Sequence, residues 1–505
     1  METKFMLEMS ELANTETKKH ITVLGAGIAG LVAAYELEVR GHTVDIMEAS
    51  NRIGGRVWTH RFGTEKDAPY AELGAMRIPS DHQHTLHYVE EMGLSDKLCK
   101  FVTVFEEQNA FINVEGKIFK MKDAPRIFQQ RYQGIFTDER YSEQTRLFAA
   151  WLKTIVDTIS PGDLRESLDS DLKSHLMDEL ERLDLSRYFL EDGEKIDLQR
   201  FVKENPGFRA RCSKALDMFL GDIVVETSSD LLQIKGGTQL LIDRLVESVK
   251  AEINCNLPVV GIKVKDGYTQ IDYLENGERK TRNCEYVLCT IPFTVMRKME
   301  LQGFDERKID SIHNTVYCPA TKVAFHTKEN FWEKQGIKGG ASFSGAGVRQ
   351  SYYPSVKFNP ERGSVMLASY TIGDDADRLG NMSDSERHNY VKDVVSNVHP
   401  ELQQQGMIQD VASIAWGNYE WSAGGCTIHW DDSNHTANYL EAARPQNNLF
   451  FAGEHCSKYP AWIQGSIEST LEAVYDIVSH KNTVPATVSY SSTTVSKKEL
   501  VISEQ

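Results

Sequence analysis

The residues able to do chemistry fall in a few short stretches. In YAELGAMRIP, residues 70–79, Arg77 sits among Ala71, Leu73, Gly74, Ala75, Met76, Ile78 and Pro79. A guanidinium in apolar company is costly unless a planar anion meets it. That anion is either an internal acid, such as Glu72, or a carboxylate brought by a ligand. In HITVLGAGIAG, Gly25, Gly27 and Gly30 are spaced G-x-G-x-x-G, directly after an apolar run. The first glycine allows a tight turn, the second a close backbone approach to a pyrophosphate, the third close helix–strand packing. Glu48 ends the next apolar run, where an acid is placed to bind a ribose hydroxyl pair. RIGGR, residues 52–56, adds two glycines and Arg56, a second backbone approach and a cation near the same phosphates. Lys322 lies in the apolar run ATKVAFH, where a lysine either snorkels from a strand edge or serves chemistry.

These residues need elements to hold them. HITVL reads as a buried strand, followed by a helix from about Ile28 to Arg40, and HTVDIMEA as the next strand. From about 123 to 225 the pattern is almost wholly helical. IKGGTQLLIDRLVESVK reads as strand, turn and helix, and short strands with turns at Lys265-Asp266-Gly267 and Glu275-Asn276-Gly277 follow it. TKVAFHT, GSVMLASYTI and IQDVASIAW are further strands, and NNLFFAGEH returns to a strand before a closing helix. Residues 481–505 have no period and read as a loose tail.

Composition sets bounds. A chain of 505 residues needs two or three domains. A net charge of −17 argues against nucleic-acid partners and against docking on anionic lipid. No run is long and apolar enough to span a bilayer, and the first residues lack an apolar signal region, so a cytoplasmic enzyme is expected. Cys99, Cys212, Cys255, Cys284, Cys289, Cys318, Cys426 and Cys456 form no C-x-x-C pair, and most read as buried free thiols. His82, His84 and His87 show no fourth ligand, so no metal site is expected.

ITVLGAGIAGLVAAYELEVRGHTVDIMEASNRIGGR resembles the opening signature of flavin-dependent amine oxidases. LFFAGEHCSKYPAWIQGSIESTLEA resembles that family's closing signature, and VLCTIPFTV and TKVAFHTKENFWE lie between them in family order. The resemblance covers most of residues 20–480. It implies an α/β fold, α+β overall. A Rossmann-like FAD-binding domain of the amine oxidase and glutathione reductase type would carry a β-sheet substrate domain and a helical insert. The expected parts are 19–62, 227–315 and 440–482 for the cofactor, 63–120 and 316–439 for the substrate, and 121–226 for the insert. Residues 1–18 and 483–505 would be loose termini.

The resemblance implies bound FAD. Glu48 would meet the ribose, Arg56 the phosphates, Val260 the adenine through its backbone, and Glu454 the ribityl side. The helix beginning near Ile467 would point its N-terminus at the flavin pyrimidine, where a reduced flavin is anionic. Ala26, Ile28, Ala29, Ala49, Gly55, Gly74, Ala75, Met76, Arg77, Gly453 and Gln464 complete the cofactor contacts. Lys322 matches the lysine that holds a water against flavin N5, Trp416 a tryptophan beside the isoalloxazine, and Trp462, with Ala461, the substrate wall.

LGAMRIP resembles the L-amino-acid oxidase branch. There Arg77 would grip the substrate carboxylate as a fork, with the hydroxyl of Tyr370 in SYTIGDDA donating to the same group; the tyrosines of YYP, 352–354, fit this role less well. Against this, SAGGCTIHW places Cys426 where monoamine oxidases bond covalently to the flavin, but Thr427 replaces the tyrosine of their amine cage. Non-covalent FAD is the expectation, with a Cys426 link the minor alternative. His429 and Trp430 are candidate lining for the substrate side chain. The implied reaction is oxidative deamination of L-amino acids to 2-oxo acids, ammonium and hydrogen peroxide, by hydride transfer from the α-carbon to flavin N5. Molecular oxygen is the acceptor and a homo-oligomer, with a dimer favoured, is implied. A monoamine or polyamine oxidase, or a pathway-specific amino-acid oxidase, is the alternative.

Overall fold

The computed structural model describes residues 18–480, except 66, 104–105, 115, 124–139, 161–175, 190–195, 210, 214–215, 218–219, 222–229, 346 and 428–434. Residues 1–17 and 481–505, His429, Trp430 and parts of the helical insert therefore lie outside the described residues.

Local chemistry explains the first elements. Ile21, Val23 and Leu24 are fully buried in the strand His20–Leu24, and β-branched residues suit such a position. The chain then turns at Gly25, whose φ of 104° is open to glycine at little cost. Gly27 starts the helix Ile28–Val39, one residue shorter than expected. Gly30 is needed for packing, because a Cβ there would lie 2.0 Å from the carbonyl oxygen of Gly25.

His20–Leu24 is the middle strand of a five-stranded parallel sheet. Thr43–Met47 and Glu252–Asn254 lie on one side, Tyr286–Cys289 and Leu449–Phe451 on the other. Strands from four distant stretches thus build one layer. A parallel sheet buries both faces, which is why these strands read as continuous apolar runs. The helices Ile28–Val39, Gln239–Ser248 and Ile463–Ser479 supply buried residues to one of the cores around this sheet.

A second, mostly antiparallel sheet has seven strands. Ala320–Thr327 pairs with Ser364–Ile372 on one side and with the edge strand Ile408–Ala415 on the other. Arg349–Tyr352, Ala341–Gly345, Phe111–Val114 and Lys117–Lys120 extend it. The hairpin between Tyr268–Glu275 and Glu278–Cys284 turns at Asn276 and Gly277, both with positive φ, as the Asn-Gly pair predicts. Within the insert the helices Glu143–Ile159, Leu176–Glu181, Leu198–Glu204 and Pro206–Arg209 are described. The fold class expected from sequence is the one observed. No helix among the described residues is long and apolar enough to cross a membrane.

Candidate active site

A cleft runs from the glycine loop of the parallel sheet to the face of the seven-stranded sheet that carries Lys322 and Tyr370. At the first end it is lined by Gly25, Gly27, Ile28, Ala29, Glu48, Ala49, Gly55 and Arg56. The two glycine motifs are joined there. Gly54 N donates to Ala26 O at 2.9 Å, and a Cβ on Gly55 would come within 3.2 Å of Gly27 Cα. The result is a bare backbone cradle at a helix N-terminus, which suits a pyrophosphate. Glu48 is hooked to this cradle: Ala26 N donates to its Oε2 at 2.8 Å, and Ser50 N and Oγ donate to its Oε1. Leu257 and Val259, with their neighbour Val260 turned out of the lining, complete this end.

Helix Ile463–Ser479 presents its N-terminus to the middle of the cleft, where Ala461, Trp462, Ile463 and Ser466 line the wall. It begins at Ile463, a turn before the expected Ile467. Gly465 in its first turn serves close packing, since a Cβ would lie 2.1 Å from Tyr459 O. Ile467 is fully buried and takes no part in the lining. Gln464 also departs from expectation. Its Oε1 accepts from Thr85 N at 3.0 Å, so its side chain ties two helices together outside the cleft lining.

Glu454 and Arg56 form a buried hub. Arg56 Nη1 donates to Glu454 Oε1 at 2.8 Å and to Gly425 O at 3.0 Å. Glu454 Oε2 accepts from Thr427 N, Thr427 Oγ1 and Ala461 N. Burial opposes the charge, but the guanidinium and these donors hold the carboxyl down at about 2. Thr427, which replaces the cage tyrosine, is therefore spent on Glu454. Removing Arg56 would leave a buried carboxylate without its cation. Arg56→Ala is expected to cost about 3 kcal/mol of stability in urea unfolding. Glu454→Gln should cost less, and a loss for Arg56→Ala below about 1 kcal/mol would contradict the hub.

The other end of the cleft is set by Lys322. It is no edge residue: strand Ala320–Thr327 is paired on both sides, and Lys322 is 4% exposed. Its Nζ donates to Gly74 O at 2.6 Å and to Glu72 O at 3.2 Å. Trp416 Nε1 donates to Leu73 O at 2.9 Å. The sheet therefore holds the backbone of the very stretch that carries Arg77. Gly74 is required there, since a Cβ would lie 2.2 Å from Arg56 O. Burial, with the charge of Arg77 adding to it and Glu72 partly offsetting it, pulls the Lys322 amine down to about 7.

Tyr370 is the register partner of Lys322, and the lysine Nζ lies 4.7 Å above its ring. Arg77 is nearly buried, with its guanidinium 6.0 Å from the Phe101 ring and 5.9 Å from the Trp462 ring. Glu72, the internal acid weighed for it, is engaged elsewhere: Thr59 Oγ1 donates to Oε2 at 2.8 Å and Thr238 N to Oε1 at 2.6 Å. Burial raises the Glu72 carboxyl, against the pull of those bonds. Tyr353 faces away, bonded to Ser342 and His399. Arg77, Tyr370, Lys322, Met76, Ala75, Gly74, Trp416, Gly453, Ala461 and Trp462 all line the same cleft.

Tyr419 and Trp421 also line it, as do Thr290, Ile291 and Pro292. Sequence reasoning missed these. The signal was present in WGNYEW, an aromatic cluster following Trp416, and in the VLCTIP segment, to which no role was given. His82 is buried beside Trp462, with ring centroids 5.2 Å apart, and His84 is buried too. No group of three potential metal-ligating His, Cys, Asp or Glu residues occurs among the described residues.

Known proteins match this architecture. The flavin containing amine oxidoreductase family model matches residues 28–478. The flavin-dependent L-tryptophan oxidase RebO of Lentzea aerocolonigenes is 43% identical over 459 residues, covering 90% of this chain and 97% of that protein. The L-amino acid oxidase bordonein-L of Crotalus durissus terrificus is 27% identical over 478 residues, covering 92% and 88%. In fold, the structure of putrescine oxidase bound to putrescine superposes with a TM-score of 0.62 at 15% identity, over 92% of this chain and 100% of that one. A family-wide match, a glycine cradle and a second sheet facing it lead to one conclusion: this chain belongs to the flavin-containing amine oxidoreductases.

Proposed function

We propose that this enzyme is an FAD-dependent L-amino-acid oxidase that prefers aromatic side chains, L-tryptophan foremost, and holds its flavin non-covalently. One observation carries the reading: Arg77, Tyr370 and Lys322 line one cleft, with Arg77 set between Phe101 and Trp462. A buried guanidinium and a phenol in one cleft are suited to a carboxylate, and the Trp462 ring in the same lining to an apolar side chain. The identity to an L-tryptophan oxidase supports the same substrate.

The cradle at Gly25–Gly30 and the Arg56–Glu454 hub fit a dinucleotide, with bare backbone on one side and a charge-neutral pair on the other. Bound there, FAD would supply the hydride acceptor for the substrate α-carbon and the route for its electrons to oxygen, giving hydrogen peroxide. The chain's own residues supply positioning. Arg77 and Tyr370 would fix the carboxylate, which orients the α-carbon and its hydrogen. Apolar neighbours keep water away and strengthen these bonds. Lys322, held by two carbonyls, would place a titrating cation at the same wall. No side-chain base is needed if the substrate amine is neutral when hydride leaves. The imino acid then hydrolyses to the 2-oxo acid and ammonium.

The test is an anaerobic titration that follows flavin bleaching. L-tryptophan should bleach the flavin quickly, tryptamine only far more slowly, and D-tryptophan not at all. Equal bleaching by tryptamine would make the enzyme an amine oxidase. Acid precipitation checks the cofactor link: colour should go to the supernatant, and a yellow pellet would mean a covalent bond at Cys426.

A further inference from the structure

We propose that Cys426 and Cys318 are a peroxide-oxidised pair, Cys426 the reacting thiol and Cys318 its resolving partner, converted to a cross-strand disulfide at the cleft wall during turnover. The two residues face each other in an isolated antiparallel bridge. Cys318 N donates to Cys426 O at 2.8 Å, and Cys426 N to Cys318 O at 3.4 Å. A pair that exchanges both bonds has its Cα atoms about 5.5 Å apart, within the span a disulfide needs. Both side chains pack in the same apolar cluster, so they leave the bridge on the same side. Neither is in a disulfide here.

Their surroundings divide the roles. Cys426 is half-buried and lines the cleft, so a small oxidant formed there reaches it. Cys318 is buried behind it. Arg56 is bonded to the carbonyl of Gly425, the preceding residue, and its charge is felt at the Cys426 thiol. A neighbouring guanidinium favours thiolate, the form that attacks peroxide. The remaining cysteines lack this combination: Cys284, Cys289 and Cys456 are buried, and burial pushes each thiol up, while Cys99, Cys212 and Cys255 do not line the cleft.

The chemistry balances. Cys426 thiolate attacks one oxygen of hydrogen peroxide; the O–O bond breaks, and sulfenic acid and hydroxide form, the latter leaving as water. Cys318 then attacks the sulfenic sulfur, an S–S bond forms, and a second water leaves. Two thiols are oxidised by two electrons and one peroxide is reduced. Without Cys318, Cys426 would climb irreversibly to sulfinic acid. The inference rests on the proposed oxidase reading for its source of peroxide.

The experiment keeps the two apart. Holoenzyme is exposed either to added hydrogen peroxide or to L-tryptophan in air, alkylated, digested without reduction and mapped by mass spectrometry. A Cys318–Cys426 linked peptide is expected in both arms. Dithiothreitol should reverse it, and catalase should suppress it in the turnover arm. In Cys318→Ala, Cys426 should appear as sulfinic acid. The pair is overturned if Cys426 stays alkylatable under added peroxide, if it links to another cysteine, or if it is bonded to flavin. A link under added peroxide with none during turnover overturns turnover as the driver, and then counts against the oxidase reading rather than against the pair.

Discussion

Replacing Arg77 with lysine is expected to lower kcat/KM for L-tryptophan by about a hundredfold, most of it through KM, while flavin content stays unchanged. The reason is geometric. Arg77 is nearly buried and lines the cleft, while Glu72 is engaged by Thr59 and Thr238. A planar fork makes two parallel bonds to a carboxylate, and an ammonium is a point charge that makes one. A hydrogen bond to a charged group is worth about 1.5–3 kcal/mol, or roughly ten- to 150-fold. The shorter side chain also leaves space between Phe101 and Trp462, which loosens the substrate. Tryptamine has no carboxylate, so its slow turnover should change little, and the preference for the amino acid should collapse. Steady-state kinetics on both substrates decides it: a fall of less than about threefold for L-tryptophan removes the clamp.

Lys322→Met should have the second largest effect, and in two directions. Activity should fall. Lys322 places a cation at the cleft wall, and loss of one electrostatic group at a reacting centre costs about 10²–10³-fold. On the proposed reading the loss falls on the oxygen-dependent half-reaction, read by stopped-flow reoxidation. In the wild type that step should weaken as pH rises through about 7, where the amine loses its proton, and in the variant it should be flat.

Stability should move the other way. The folded amine titrates near 7 and the unfolded one at 10.5, so between these values the unfolded chain holds a proton that the folded chain lacks. Folding stability therefore rises with pH across that window. Below 7 the wild type carries the full cost of a buried charge. Lys322→Met should raise the unfolding midpoint most below pH 7 and least above 10.5. A midpoint difference that does not vary with pH would mean that Lys322 is not the group titrating.

How much of this was legible beforehand depends on whether a feature is local. The glycine spacing, the helix after it and Glu48 at the end of the next strand all answer to near neighbours in sequence, and the parallel sheet places them as expected. The apolar company of Arg77 already posed the question of its anion. The alternating runs around Lys322 and Tyr370 announced strands, and the closing helix was visible, though begun a turn late.

Other features depend on pairs far apart in the chain. Arg56 meets Glu454 across 398 residues, so neither residue type by itself says that the pair neutralises itself inside the cleft. Lys322 reaches back 248 residues to the Gly74 carbonyl, which turns a lysine that could have snorkelled into an anchor for the Arg77 stretch. Cys318 and Cys426 have no sequence spacing that signals a pair; an isolated bridge between them does. Sequence by itself determined which residues could bind a dinucleotide and an anion, since turns, helices and strands follow from short-range sterics and periodicity. Only the tertiary structure decided which charges are satisfied and which face the cleft, because that depends on what the folded chain brings within a few ångströms of each one.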